Sequence, residues 1–292
     1  MLEGRIYKLL AGTYYVDTPM GAMAAKAKGS FRSESVLPRV GDCVRLESSG
    51  GAYRICEILP RRNCLLRPMV SNVDRLVIVL AVQKPLPDLM LAEKMIIASR
   101  KADIEPVIAI NKSEIDMQRA KELASEFAQA DIQTFVLSCR EGVGLEEFKA
   151  YMRQGVSCFS GQSAVGKSSL TQQLIPGAHL VTGDLSKKTD RGKHTTRHCE
   201  LYRIDGGGYV VDTPGFSLLE EEVIDPAALQ ELFDPQYGLL ASKCRFRGCS
   251  HTAEPDCAVK KAAESGAVSK ERYERYCRLY AGIKDNWRKR YD

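Results

Sequence analysis

Gly161-Gln162-Ser163-Ala164-Val165-Gly166-Lys167-Ser168 follows the pattern G-x-x-x-x-G-K-[ST]. Its setting gives the pattern force: an apolar run, Val156 to Phe159, leads into it, and a helical stretch, Ser168 to Leu174, leads out. Gly161 and Gly166 allow the backbone to turn its N–H groups inward around phosphates, and the start of the helix adds a favourable partial charge. In such a loop Lys167 reaches the β and γ phosphates and Ser168 ligates Mg²⁺. The candidate binding set therefore runs from Gly161, Gln162, Ser163, Ala164 and Val165 through Gly166, Lys167 and Ser168 to Ser169.

A phosphate loop serves ATP and GTP alike, so the residues that read the base decide between them. Asn111-Lys112-Ser113-Glu114 is similar to the N-K-x-D motif, whose lysine stem packs on the base and whose carboxylate accepts from guanine N1–H and the N2 amino group. Adenine has no such donor pair. Glu114 stands where the motif has Asp, and its extra methylene pushes the carboxylate outward unless the loop retracts. Asp116, two residues on, is poorly spaced to replace it. Ser138-Cys139-Arg140 follows the next strand, where a loop backbone would touch guanine O6. Asp212-Thr213-Pro214-Gly215 matches D-x-x-G, with Asp212 toward Mg²⁺ and the Gly215 N–H toward the γ-phosphate. Between these pieces, Lys187 to Arg197 holds Thr195 and Thr196, candidates to complete the Mg²⁺ shell.

Around these motifs the hydrophobic period changes twice. Arg5 to Leu10, Thr13 to Thr18, Ala22 to Lys28, Asp42 to Glu47 and Tyr53 to Leu59 read as short strands, which fit a small β-barrel of the OB type over residues 1–68. Strands Arg75 to Val82, Val107 to Ile110, Thr134 to Leu137 and Gly208 to Val211 alternate with helices Leu89 to Lys101 and Met117 to Ala130. This is a doubly wound α/β pattern over residues 69–222. Residues 223–292 form a third module that ends in a charged, Tyr-rich helix, Lys270 to Lys289. An OB-fold commonly offers a face to RNA.

The 292 residues carry a net charge of +5 and no apolar run long enough to span a membrane. A cytoplasmic protein is expected, with no membrane partner. Basic residues gather at Arg61-Arg62, at Lys187-Lys188 through Arg191 and Lys193, and at Arg288-Lys289-Arg290. Each cluster reads equally as a solvated face or as an RNA contact. Ten cysteines without a secretory signal argue against a disulfide framework. Cys244-x₄-Cys249-x-His251-x₅-Cys257 is instead a complete ligand set for one tetrahedral Zn²⁺, closed and therefore structural. Cys277 lies too far along the helix to join it and is expected to pack.

In ordinary small GTPases the phosphate loop comes first and N-K-x-D last. Here Asn111 and Ser138 precede Gly161, and Asp212 follows, which is a circularly permuted order. That order, with a barrel before it and the cysteine-histidine cluster after it, resembles the bacterial ribosome small-subunit-dependent GTPase A family over nearly the whole chain. Further matching stretches are Arg62-Asn63-Cys64-Leu65-Leu66-Arg67-Pro68, Gly192-Lys193-His194-Thr195-Thr196 and Asp212-Thr213-Pro214-Gly215-Phe216; Glu114 and Ala164 depart from the pattern. The resemblance implies a GTPase that binds GTP and GDP with Mg²⁺ and acts on the 30S subunit and its 16S rRNA late in maturation; a monomer is expected, with the sequence leaving the oligomeric state open. It also nominates His194 to position water. Phe216, after D-x-x-G, can neither donate nor accept, so slow intrinsic hydrolysis is expected. The residues alone leave two other readings: an RNA-binding protein whose nucleotide site only stabilises the fold, and an ATP-specific enzyme. Lys167, Ser168 and Asp212 together favour hydrolysis over the first.

Overall fold

The computed structural model describes residues 1–29, 31, 36–66, 69–176, 199–212 and 224–289. Near the N-terminus five alternating segments form β1 (Leu2–Leu10), β2 (Thr13–Thr18), β3 (Gly21–Ala27), β4 (Cys43–Ser49) and β5 (Ala52–Ile58). The pairs β1–β2, β2–β3, β4–β5 and β1–β4 are antiparallel, while β3–β5 is parallel. The ladder thus closes on itself in the order 1-2-3-5-4 and leaves no free edge, the closure an OB barrel requires. Ile6, Val16, Ala25, Val44, Leu46 and Ile55 fill the interior. These are the inward positions of a two-residue period.

A short hairpin, β6 (Cys64–Leu66) with β7 (Met69–Ser71), leads out of the barrel. The second sheet comprises β8 (Arg75–Ala81), β9 (Glu105–Asn111), β10 (Gln133–Val136), β11 (Val156–Ser160), β12 (Glu200–Arg203) and β13 (Tyr209–Asp212), in the order β10-β9-β8-β11-β13-β12. All neighbours are parallel except β12, which runs antiparallel to β13. From Leu76 onward β8 is apolar, because both its faces are covered. Leu76, Ile78 and Leu80 pack with α1 (Leu89–Lys101) and α2 (Met117–Ala128), while Val77 and Val79 pack with α3 (Leu145–Met152) and α4 (Lys167–Leu174). The chain steps outward from β8 through β9 to β10, then restarts at β11 on the other side of β8. The crevice between β8 and β11 is therefore the topological switch point, where open α/β sheets bind ligands.

The barrel and this sheet are continuous through β1 and β12, where Lys8 faces Glu200 and their side chains pair at 2.9 Å. Asp17 of the barrel accepts from the Tyr209 hydroxyl at 2.5 Å. After residue 223 the described chain forms α5 (Leu229–Phe233), α6 (Pro235–Ala241), α7 (Ala258–Glu264) and α8 (Lys270–Arg288), with Phe233, Tyr237, Val259, Tyr276 and Leu279 in their shared core.

This helical part is tied to the α/β sheet by buried charge. Glu93 on α1 takes both Arg272 (3.1 and 3.0 Å) and Arg275 (3.0 Å) of α8. Arg272 also donates to Asp234 at 2.9 Å, and Arg275 to Glu126 at 2.5 Å. Two expectations shift in detail. The second helix stops at Ala128, because the turn after it takes Asp131 to φ 57°. α3, opened by left-handed Gly144, was not foreseen: Leu145, Phe148 and Met152 give only one apolar face over a short span.

Candidate nucleotide site and metal centre

β11 delivers the phosphate loop to the carboxyl edge of the sheet. Gly161 leaves the strand at φ 137°, where a Cβ would lie 2.3 Å from the Val79 carbonyl oxygen. Gly166 caps α4 at φ 104°, and a Cβ there would meet Asn111 Nδ2 at 2.1 Å. Only glycine meets both demands. Ala164 holds φ 62°, a left-handed value that costs a side-chain-bearing residue about 1 kcal/mol. No side chain caps α4, so its first amides stay directed into the loop, with Ser168 and Ser169 exposed in that first turn. Lys167 Nζ donates to the Gly161 and Gln162 carbonyls at 2.8 and 2.5 Å. Partial burial holds its ammonium below the usual lysine range. Gln162 in turn accepts from the Asp88 amide at 2.9 Å, which fixes the loop to the start of α1.

The base-reading segments, distant in sequence, meet this loop. Asn111 ends β9 and is buried; its Nδ2 donates to the Val165 carbonyl at 2.9 Å, and its Oδ1 accepts from the Cys139 amide at 3.3 Å. One side chain thus joins three loops. Lys112, at φ 62°, donates to the Ala164 carbonyl at 2.8 Å and to the Lys84 carbonyl at 2.5 Å. Ser138 is buried, and its hydroxyl accepts from the Glu141 amide at 3.1 Å, closing the turn that presents Cys139. Glu114 turns inward: its Oε2 is buried and has no hydrogen-bond partner within the protein. Its charge lies close enough to Cys139 to act with burial, the larger cause, in pushing that thiol up to about 11. Asp116 is engaged elsewhere, as the N-cap of α2, accepting from the Arg119 amide at 2.9 Å.

Asp212 ends β13, which lies parallel to β11 with Val156 opposite Tyr209 and Ser157 opposite Val210. The side chain of Asp212 and all of Lys187, His194, Thr195, Thr196, Gly215 and Phe216 lie outside the described residues. The same holds for Arg67, Pro68 and Arg290.

The second constellation is in the helical part. One ligand atom from each of Cys244, Cys249, His251 and Cys257 lies within 4.8 Å of the others. The Cys244 and Cys257 sulfurs are 4.0 Å apart, and His251 Nδ1 is 3.6 and 3.4 Å from them. A tetrahedral ion with Zn–S and Zn–N bonds of ordinary length sets these separations at about 3.8 and 3.6 Å. The donor set therefore fits Zn²⁺. Burial keeps His251 below the usual histidine range, hence neutral and able to ligate. Its other nitrogen, Nε2, lies 2.7 Å from Gln230 Oε1, which selects the tautomer that leaves Nδ1 for metal.

Backbone amides of His251, Ala258 and Lys260 donate to the Cys249, Cys244 and Cys257 sulfurs at 3.4, 3.3 and 3.5 Å. Glu254 shapes the turn by accepting from the Ser250, Thr252 and Ala253 amides at 2.8, 3.1 and 3.2 Å. Burial alone would raise its carboxyl, but hydrogen bonding from the Ser250 side chain and from the Ser250, Glu254 and Thr252 backbone holds it at about 2. Cys277 packs against this core and contributes no ligand. Gln230 and Glu254 escaped sequence reading: neither belongs to a ligand type for soft metals, and Gln230 lies far upstream of the cluster.

Strand order, loop placement and the reversed order of motifs along the chain define a circularly permuted P-loop GTPase. Comparison with known proteins agrees. The RsgA GTPase family model matches residues 58–222, and the RsgA N-terminal domain model matches residues 3–52. A small ribosomal subunit biogenesis GTPase RsgA from Caldanaerobacter subterraneus subsp. tengcongensis is 40% identical over 99% of this chain and 98% of its own. Its counterpart from Moorella thermoacetica is 38% identical over 97% of each. The crystal structure of YjeQ from Thermotoga maritima superposes with a TM-score of 0.82 at 31% identity, covering 97% of this chain and 98% of that one. YloQ, described as a circularly permuted GTPase, gives 0.81 at 31% identity over 98% and 96%. The chain belongs to the RsgA GTPase family and is a GTPase.

Proposed function

We propose that this chain uses GTP hydrolysis as a switch in late maturation of the small ribosomal subunit, with the 30S particle and its 16S rRNA as partners in the cytoplasm. The observation that carries the nucleotide assignment is the buried, unpartnered Glu114 oxygen, three residues after the Asn111 that is hydrogen-bonded to the phosphate loop. A buried carboxylate oxygen without a donor is costly, and the two N–H donors of a guanine edge would satisfy it. Guanine thus rests on Asn111, Lys112, Glu114, Ser138 and Cys139, and its phosphates on Gly161 to Ser169. Mg²⁺ is held by Ser168, Asp212 and Thr195 or Thr196, while the Gly215 amide senses the γ-phosphate. Zn²⁺ on Cys244, Cys249, His251 and Cys257 stabilises the C-terminal module.

The ribosomal role is supported by the names of the full-length relatives, which are small ribosomal subunit biogenesis GTPases. Work divides among three modules, residues 1–68 and 223–292 meeting RNA and 69–222 reading the nucleotide. Among the described residues no helix is long and apolar enough to cross a membrane. Lys167 and Asp212 stabilise the transferring phosphoryl group and its metal; His194 positions the attacking water, a task Phe216 cannot perform. Multiple-turnover hydrolysis by the monomeric chain should be slow and should rise on adding 30S subunits. His194→Ala should remove most of that stimulation and leave nucleotide affinity near wild type. No stimulation by any ribosomal particle would overturn the ribosomal reading, and unchanged stimulated turnover would remove His194 from the mechanism.

A further inference from the structure

Beside the cysteine-histidine centre lies a cavity of about 370 Å³. Its walls include Pro226 ahead of α5, Gly248 in the loop that carries Cys249, and Tyr276, Tyr280, Lys284 and Trp287 of α8. Those four α8 residues recur at steps of four, four and three, so they form one stripe along the helix. Tyr276 is buried, and its hydroxyl donates to the Ser250 carbonyl at 2.9 Å, which anchors the stripe to the metal-bearing loop. The Tyr280 ring follows at 6.1 Å, tilted by 36°, and Lys284 Nζ lies 5.8 Å from the Tyr280 centroid. Arg288 adds a second cation at the rim. Aromatic faces interleaved with cations therefore surround a hollow of nucleotide size, on a rigid helix.

We propose that this cavity holds one unstacked base of single-stranded RNA, with Lys284 and Arg288 against the flanking phosphates. Every base offers a π-face, so a tyrosine–tryptophan wall binds bases without demanding a sequence, and the two cations supply the backbone attraction. Duplex RNA cannot enter, because its bases are already stacked and only phosphates and sugars are presented. The proposal deepens the ribosomal reading and rests on it for the choice of RNA as the polymer. Among the described residues the one acidic wall residue, Asp225, is engaged in its own turn, accepting from the Ala227 amide at 2.9 Å.

Trp287 is the only tryptophan of the chain, so its fluorescence reports this cavity alone. The zinc-loaded full chain is titrated with a short oligo-adenylate, with a blunt RNA duplex, and with an abasic ribose-phosphate oligomer of equal charge. Saturable quenching by the oligo-adenylate is expected, with the other two binding several-fold more weakly. Tyr280→Ala should raise the Kd by about tenfold, as loss of one stacked base does. Lys284→Ala, on a partly exposed side chain, should weaken binding several-fold and keeps the test valid if the tyrosine variant does not fold. No quenching, equal quenching by the abasic oligomer, or an unchanged Kd in the folded variants overturns the proposal. Persistence of 30S-stimulated GTP turnover without quenching would refute the cavity assignment alone. Quenching as expected with no 30S stimulation would refute the ribosomal reading alone.

Discussion

At the scale of single residues, Asn111 and Glu114 divide the labour of recognition. Asn111 spends both ends of its amide on protein, bonding Val165 and Cys139, and so acts as the clasp between loops. Glu114 has one buried oxygen without a protein partner, the place proposed for the guanine edge. The extra methylene relative to aspartate did not swing the carboxylate into solvent, and Asp116 was never a competitor because it caps α2. Replacing Glu114 with Gln exchanges an acceptor for a donor, losing charge-assisted bonds worth about 1.5–3 kcal/mol. GTP affinity should therefore fall by roughly 10- to 100-fold, whereas XTP, whose base has a carbonyl where guanine has an amino group, should lose much less. Competition binding of GTP, XTP and ATP reads this directly; equal weakening for GTP and XTP would argue against the pairing.

At the scale of elements, α5 links two centres. It presents Gln230 to His251 and ends at Phe233, whose carbonyl accepts from Arg100 and Arg272 at 2.5 and 3.2 Å. Metal analysis of the purified chain should return about one zinc per molecule. Gln230→Ala, which removes the orienting bond, should weaken zinc retention against a chelator by roughly 10- to 100-fold. The buried ion cluster makes a different demand. Glu93→Ala leaves Arg272 and Arg275 without their shared carboxylate and should cost about 3–5 kcal/mol in a urea titration; a loss below about 1 kcal/mol would show that water relieves them.

Neither feature was legible beforehand, and the reason is the same for both. The phosphate loop and the cysteine-histidine set are local patterns whose residue types announce their chemistry. Glu93 and Arg272, or Gln230 and His251, become partners only through tertiary packing, and Glu93, Gln230 and Arg272 each read alone as ordinary helical surface residues. The barrel strands were legible because alternation survives closure, but the α3 face and the β6–β7 hairpin were too short to register as periodic.

At the scale of the whole molecule, permutation changes what the strand ending at Asp212 is attached to. β13 ends at Asp212, and the chain continues from there toward α5 and the cysteine-histidine cluster. In the other direction β12 abuts barrel strand β1 through the Lys8–Glu200 pair. β13 and β12 are thus joined to the parts of the chain on either side of the α/β sheet, one by the backbone and one by a ladder contact. With Asp212 as the proposed Mg²⁺ residue, a change there would have direct mechanical routes to both.

The central proposal is that loops from β9 and β11 converge upon one guanine nucleotide. The structure of the chain bound to Mg²⁺ and a non-hydrolysable GTP analogue tests it most directly. The guanine edge should lie within hydrogen-bonding distance of the Glu114 carboxylate while the phosphates occupy the loop from Gly161 to Ser168. A base bound away from Asn111 and Glu114, with the phosphates still in the loop, would contradict it.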